Sequence, residues 1–150
     1  MSLHDQYCDM PYDEYHIDSG FDFNYVSDVP NSPYMREFNE IDEKEIIMFH
    51  GTYRSELIIL NGFDHMMCND SSMGRGIYIS PCIGIACAFG DKIIMCKVKL
   101  GKTKIFEEYD KNYKPVDFDS GIYKTNGWTE YVIYDSSRII PYKIYEIQSS

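Results

Sequence analysis

Three short stretches carry the side chains with chemistry to offer, and each sits at the end of an apolar run. In "EIIMFHGT" the run closes on His50 and Gly51. An imidazole there is either a hydrogen-bonding group of a site or a solvated strand end. The glycine beside it lacks Cβ, so a flat ligand can come close to the backbone. In "MGRGIYIS", Gly74 and Gly76 flank Arg75 and lead to Tyr78. That corner is a turn, too short and wrongly placed for a dinucleotide fingerprint or a phosphate loop. In "GWTEYVIYD", Glu130 heads a run of β-branched and aromatic residues. Strand alternation puts Glu130, Val132 and Tyr134 on one face and Tyr131 and Ile133 on the other. Alone, such a carboxylate reads as a solvated strand end. His65 and Cys68 come nearest to a zinc-binding pair, and with no second pair to answer them no metal site is expected.

The elements that must position these groups are mostly strands. "EIIMFH" predicts a strand stopped by Gly51, and "YRSELIIL" a short helix stopped by Asn61-Gly62. "FDHMMCNDSSMGRG" reads as a loop, "GIYIS" as a short strand, and "PCIGIACAF" as a buried short helix closed by Gly90. "DKIIMCKVKL", "TKIF", "EYVIYD", "SRII" and "YKIYEIQ" read as strands, with Pro141 at a strand start where no ladder donor is lost. Residues 107–125 are turn-rich and expected to be irregular. The sum is an α+β domain of mainly antiparallel sheet with short helices.

Charge divides the chain. Residues 1–43 hold 11 acidic side chains against one base, Arg36, whereas 44–150 are balanced, 13 against 13. The expected organisation is therefore an acidic N-terminal extension, 1–43, partly flexible or docked on the core, and a folded core domain, 44–150. Neither part offers the basic stripe that duplex nucleic acid requires. No window is long and apolar enough for a membrane helix, and the N-terminus lacks a signal-peptide pattern. Cysteines at 8, 68, 82, 87 and 96 have no paired close spacing. They read as reduced thiols of an intracellular protein, cytoplasmic or nuclear.

In order along the chain, His50-Gly51-Thr52, the Gly-x-Gly-Ile-Tyr element at 74–78 and Glu-Tyr-Val-Ile-Tyr at 130–134 together resemble the catalytic domain of the poly(ADP-ribose) polymerase family, the diphtheria-toxin-like ADP-ribosyltransferases. The tankyrase type is nearest. "GF" at 62–63, "CKVKLGKT" at 96–103 and "PYKIYEI" at 141–147 extend the resemblance over residues 46–147. It implies the split antiparallel sheets of that fold and NAD as co-substrate, with no metal.

The resemblance also implies roles. His50, Tyr78 and Glu130 match the family's His-Tyr-Glu catalytic triad. His50 would bond the adenosine ribose, and the Gly51 backbone would pair with the nicotinamide carboxamide. Thr52 and Gly76 belong to the implied NAD-contacting set. Tyr78 and Phe89 would hold the nicotinamide ring from its two sides. A family serine that donates to the carboxamide is replaced here by Ala86. Glu130 would stabilise the positive charge that develops on the ribose as nicotinamide leaves. Acceptors would be protein side chains, in mono or poly transfer, with the acidic extension as a candidate for automodification; a monomer is expected. The alternatives are a weakly active NAD- or ADP-ribose-binding module and a transferase acting on nucleic acid. The remaining tyrosines, among them Tyr109, Tyr113 and Tyr123, are expected to be core or rim residues.

Overall fold

A computed structural model describes residues 23–30, 32–68, 70–124 and 129–147. Ten strands and three short α-helices are found among them: β1 Phe23–Asp28, α1 Met35–Glu40, β2 Ile46–Thr52, α2 Ser55–Asn61, β3 Asp70–Ser71, β4 Gly74–Arg75, β5 Ile77–Ile79, α3 Ile83–Ala86, β6 Lys92–Val98, β7 Thr103–Phe106, β8 Ser120–Lys124, β9 Thr129–Ile133 and β10 Ile139–Ile147. The class is α+β, as composition and pattern predict. One sheet has the order β1–β10–β6–β2, all antiparallel. The other has the order β5–β9–β8–β7, antiparallel except that β7 and β8 run parallel, which agrees with the expected α+β domain of mainly antiparallel sheet. A two-stranded ribbon, β3–β4, stands beside them.

Among the described residues a single bridge joins the two sheets. The Phe49 N–H donates to the Ser80 carbonyl at 2.7 Å, and the Ser80 N–H returns to the Phe49 carbonyl at 2.9 Å. Beyond this point β2 and β5 part. The main core lies between the sheets, with Met48, Ile94, Cys96, Val98 and Ile139 facing Ile77, Ile79 and Ile133. The other face of the first sheet packs Phe49, Ile93 and Met95 against Ile83 and Ala86 of α3. β6 is thus covered on both sides, which is why its sequence shows an apolar run rather than clean alternation.

Residues 23–43, placed by charge in the acidic extension, are built into this unit. β1 pairs with β10 in register from Phe23 opposite Ile147. α1 buries Phe38, and Lys99, only 7% exposed, donates from Nζ to the Phe38 and Ile41 carbonyl oxygens at 2.8 Å each. Glu43 bonds Arg138 at 3.1 Å. Residues 1–22, the acceptor candidates among them, and Cys8 lie outside the described residues. Among the described residues no disulfide joins Cys68, Cys82, Cys87 or Cys96. Because Lys99 Nζ satisfies two carbonyls at the end of α1, Lys99→Met is expected to lower the unfolding free energy by about 2–3 kcal/mol in urea denaturation. A loss under about 0.5 kcal/mol would mean that packing of Phe38 alone holds α1.

Two further expectations are corrected. Ser120–Lys124, inside the segment expected to be irregular, is β8, a strand between β7 and β9. "SGIYK" has no apolar alternation to announce it. Gly121 is needed there because a Cβ would crowd the Phe106 ring at 2.8 Å and the Tyr134 hydroxyl at 2.9 Å. Pro141 lies within β10 rather than at its start, and the register with β6 shifts between Pro141 and Lys143. A bulge there accommodates the residue that cannot donate. Among the described residues no helix is long and apolar enough to cross a membrane.

Candidate active site

The cleft opens where the two sheets fork. The space between its walls, open solvent at the mouth included, is about 610 Å³. Phe49 and Gly51 of β2 form its floor, and Tyr78, Ile79 and Ser80 continue it from β5. One wall is α3 and the 3-10 turn Cys87–Phe89 that extends it, presenting Ile85, Ala86, Ala88 and Phe89. The other wall is the start of β9, with Thr129, Glu130 and Tyr131. Of the residues singled out by sequence, Gly51, Tyr78, Ala86, Phe89 and Glu130 meet here. His50, Thr52 and Gly76 do not line the cleft.

Among the described residues that line the cleft, Glu130 is the only acid. It lies on the β9 face shared with Val132 and Tyr134, as alternation predicts, and opposite Tyr123 of β8. Its Oε2 is buried without a hydrogen-bond partner. An unpaired buried carboxylate oxygen costs stability, about 1–3 kcal/mol for a typical group. Such a group is normally satisfied, and here the residue that carries it borders an apolar cleft.

Tyr78 points its ring at the cleft and commits its hydroxyl elsewhere. The phenol donates to the Gly74 carbonyl and accepts from the Met73 N–H, both at 2.7 Å. Burial, with the Glu130 charge adding to it, pushes its pKa up to about 12. Tyr78 is therefore a neutral ring that ties the 72–75 loop to the sheet, and not a proton-transfer group at neutral pH.

His50 lies on the opposite face of β2 from Gly51, with its ring edge-on to Phe63 at 5.0 Å. Its Nδ1 is 2.8 Å from the Tyr78 carbonyl oxygen. A carbonyl only accepts, so Nδ1 carries the proton and Nε2 remains as an acceptor. Burial pulls the imidazole below its ordinary pKa, with the Tyr78 bond acting the other way. The unfolded chain then binds the proton more readily, so stability rises with pH through this window and is lost below about pH 6.5. Thermal unfolding midpoints are expected to fall as pH drops from there. The fall should be shallower in His50→Asn, which keeps a donor for the Tyr78 carbonyl. Equal slopes in the two proteins would remove His50 as the cause.

Gly51 has a second use that sequence did not reveal. A Cβ at this position would run into the Ala86 carbonyl oxygen and meet Phe89 Cβ at 3.2 Å. The bare backbone of β2 is what lets α3 sit down on it. Gly90 repeats the device, since a Cβ there would strike the Thr52 backbone. The Thr52 side chain is spent on the following turn, where Oγ1 accepts from the Arg54 N–H at 2.9 Å. Gly76 is sealed under Val132 and Ile133.

Sequence reasoning passed over Ser80 and Thr129. Both are buried, and both line the cleft. Ser80 Oγ accepts from the Cys82 N–H at 3.0 Å, which caps the approach to α3. The signal for both is position: each stands at the end of a strand that carries a singled-out residue. His65, half of the weighed zinc pair, is engaged by Ser136, whose N–H donates to Nδ1 at 3.1 Å. Among the described residues no cluster of three or more metal-ligating side chains occurs.

Scanned against protein-family models, the chain matches none, and no curated protein sequence matches it.

Proposed function

We propose that this protein is an NAD-dependent ADP-ribosyltransferase with the split-sheet fold of that superfamily, transferring ADP-ribose to protein side chains. The observation that carries the reading is the buried, unpartnered Glu130 Oε2 at the edge of an apolar cleft. Around it stand the groups a dinucleotide would need. The Gly51 backbone offers an amide edge for a carboxamide, and the Tyr78 and Phe89 rings offer aromatic faces for a pyridinium. His50, one residue away on the other face of β2, keeps Nε2 as an acceptor for a ribose hydroxyl.

In this reading Glu130 accepts a hydrogen bond from the ribose hydroxyl next to the reacting carbon. It thereby stabilises the positive charge that builds there. The bond from that carbon to the nicotinamide nitrogen breaks, and its electron pair leaves with neutral nicotinamide. An acceptor oxygen forms the new bond to the same carbon and gives up its proton, which Glu130 helps to withdraw. No oxidant, reductant or metal is required for balance. The apolar walls keep water scarce, which strengthens the carboxylate's action.

One observation favours a second reading, a module that binds NAD or ADP-ribose without transfer: Ala86 gives its wall no side-chain donor. Incubation with NAD separates the two. The transferase releases nicotinamide and leaves ADP-ribose on protein, seen by mass spectrometry. Binding with no nicotinamide released would select the module.

A further inference from the structure

We infer that Ser80 sets the specificity of the cleft for a carboxamide: its hydroxyl donates to the carboxamide oxygen of the nicotinamide ring. The inference rests on the reading of the cleft as a nicotinamide site given above, and it names a group that the sequence pattern did not single out.

The position of Ser80 follows from strand pairing. Phe49 and Ser80 form the antiparallel bridge between the sheets. Directly opposed residues of such a pair point their side chains to one face. Gly51 lies two residues beyond Phe49 on β2, and Tyr78 of β5 lies two residues before Ser80. The two-residue period keeps all four on that face. It is the face on which α3 sits, with Ala86 packed on Phe49 and against the bare Gly51 backbone. Ser80 therefore stands where the fork closes, with Tyr78 about 7 Å along the strand. On the other side, β5 pairs with β9 through Tyr78 opposite Val132 and Ile79 opposite Tyr131, so one further step carries Ser80 towards Glu130.

The bonding of Ser80 leaves it one group to give. A hydroxyl has one proton and two lone pairs. Oγ accepts from the Cys82 N–H at 3.0 Å, and among the described residues no acceptor takes its own proton. Ser80 is only 4% exposed, and it lines the cleft. A buried donor is normally paired, and the cleft is the side from which an acceptor can reach this one.

The other polar side chains of the lining are committed or turned away. The Tyr78 hydroxyl is bonded to Gly74 and Met73. Thr129 and Tyr131 alternate with Glu130 along β9 and so belong to the opposite face, where Tyr131 packs on the core between the sheets. The Glu130 carboxylate only accepts. On the face beneath α3, Ser80 is thus the one neutral side-chain donor among the described lining residues.

A ring lying on Tyr78 with its carboxamide against the Gly51 backbone has Ser80 as the next side chain towards the closed end of the fork. A carbonyl oxygen has two lone pairs, so it takes the Gly51 N–H and the Ser80 hydroxyl together. The floor then supplies the donor that the wall lacks at Ala86. A pyridine without a carbonyl would leave the Ser80 proton buried and unpaired, which is the physical basis of discrimination.

Ser80→Ala removes the hydroxyl. In calorimetric titration it is expected to bind nicotinamide about tenfold more weakly than wild type does, the size of one hydrogen bond from a neutral group. ADP-ribose, which lacks the pyridine ring, is expected to bind both proteins equally. KM for NAD should rise by the same factor with kcat unchanged, the mark of a contact made equally in ground and transition states. Unchanged nicotinamide affinity overturns the inference. An equal loss for ADP-ribose also overturns it, because the broken cap on Cys82 and a displaced α3 then explain the defect. A fall in kcat alone overturns it too, since Ser80 would then serve Glu130. A crystal structure of the wild-type protein with nicotinamide tests the contact without a variant. Ser80 Oγ is expected within about 3.2 Å of the carboxamide oxygen, and a carboxamide turned away from it overturns the inference. If the wild-type protein binds neither nicotinamide nor NAD, the reading of the cleft falls as well. If NAD is cleaved and Ser80→Ala matches wild type throughout, only the role of Ser80 falls.

Discussion

Glu130→Gln is expected to slow nicotinamide release from NAD by about 10²–10³-fold, the usual cost of removing one preorganised group that stabilises transition-state charge. The substitution keeps the shape of the side chain and its apolar contacts, so NAD affinity should change little. Stability should move the other way. Oε2 is buried with no partner, and the carboxylate borders an apolar cleft. The folded state therefore bears a desolvated polar group that nothing in the described residues satisfies. Replacing Glu130 by leucine should raise the thermal midpoint while abolishing turnover. Opposite signs in the two measurements distinguish a group kept for its chemistry from one kept for the fold. Undiminished turnover in both variants would exclude Glu130 as the charge-stabilising group. A lowered midpoint in both would assign it a structural role.

Gly51→Ala is expected to destabilise the fold by about 1–3 kcal/mol, the range for an overpacked contact, and to abolish measurable NAD binding. The added methyl would meet the Ala86 carbonyl, which is backbone and cannot rotate away. α3 has no slack of its own. It is four residues long, continues directly into the Cys87–Phe89 turn, and is pinned beyond that by Gly90 against Thr52. The strain would lift the whole wall of the cleft, moving Ala86 and Phe89 together. Thermal unfolding and calorimetric titration with NAD measure the two effects. A Gly51→Ala protein with wild-type midpoint and affinity would show that α3 can shift without cost. Sequence offered a different reason for this glycine, namely room for a flat ligand. The Cβ direction is instead filled by the helix.

Much of the element order was open to reading because it rests on local pattern. The apolar runs of β2, β5, β6 and β9 and the Asn61-Gly62 stop are of this kind; Gly62 has φ 71, a conformation glycine adopts without strain. What escaped depends on partners far along the chain. β1 is an edge strand with most of its residues exposed, so it carries no amphipathic signature, and only its ladder with β10 defines it. β8 exists because β7 and β9 flank it. Acidic composition set residues 23–43 apart, yet Phe38, Lys99 and the Glu43–Arg138 pair fasten them to the sheet. Charge density measures solvation of a segment on average and says nothing of one buried phenylalanine or one lysine between carbonyls.

The sequence by itself determined which chemical groups this protein has and that each stands on a strand: His50 and Gly51, Tyr78, Glu130. Those assignments need only side-chain type and a two-residue period. The tertiary structure decided what each group does with its bonds. It turned His50 to the far face of β2 and fixed its proton on Nδ1 through the Tyr78 carbonyl. It spent the Tyr78 hydroxyl on a loop, and left one oxygen of Glu130 buried and unpaired. All of this follows from where the two sheets part, at Phe49 and Ser80. A contact between residues so distant in the chain depends on how whole sheets pack, and no local periodicity encodes it.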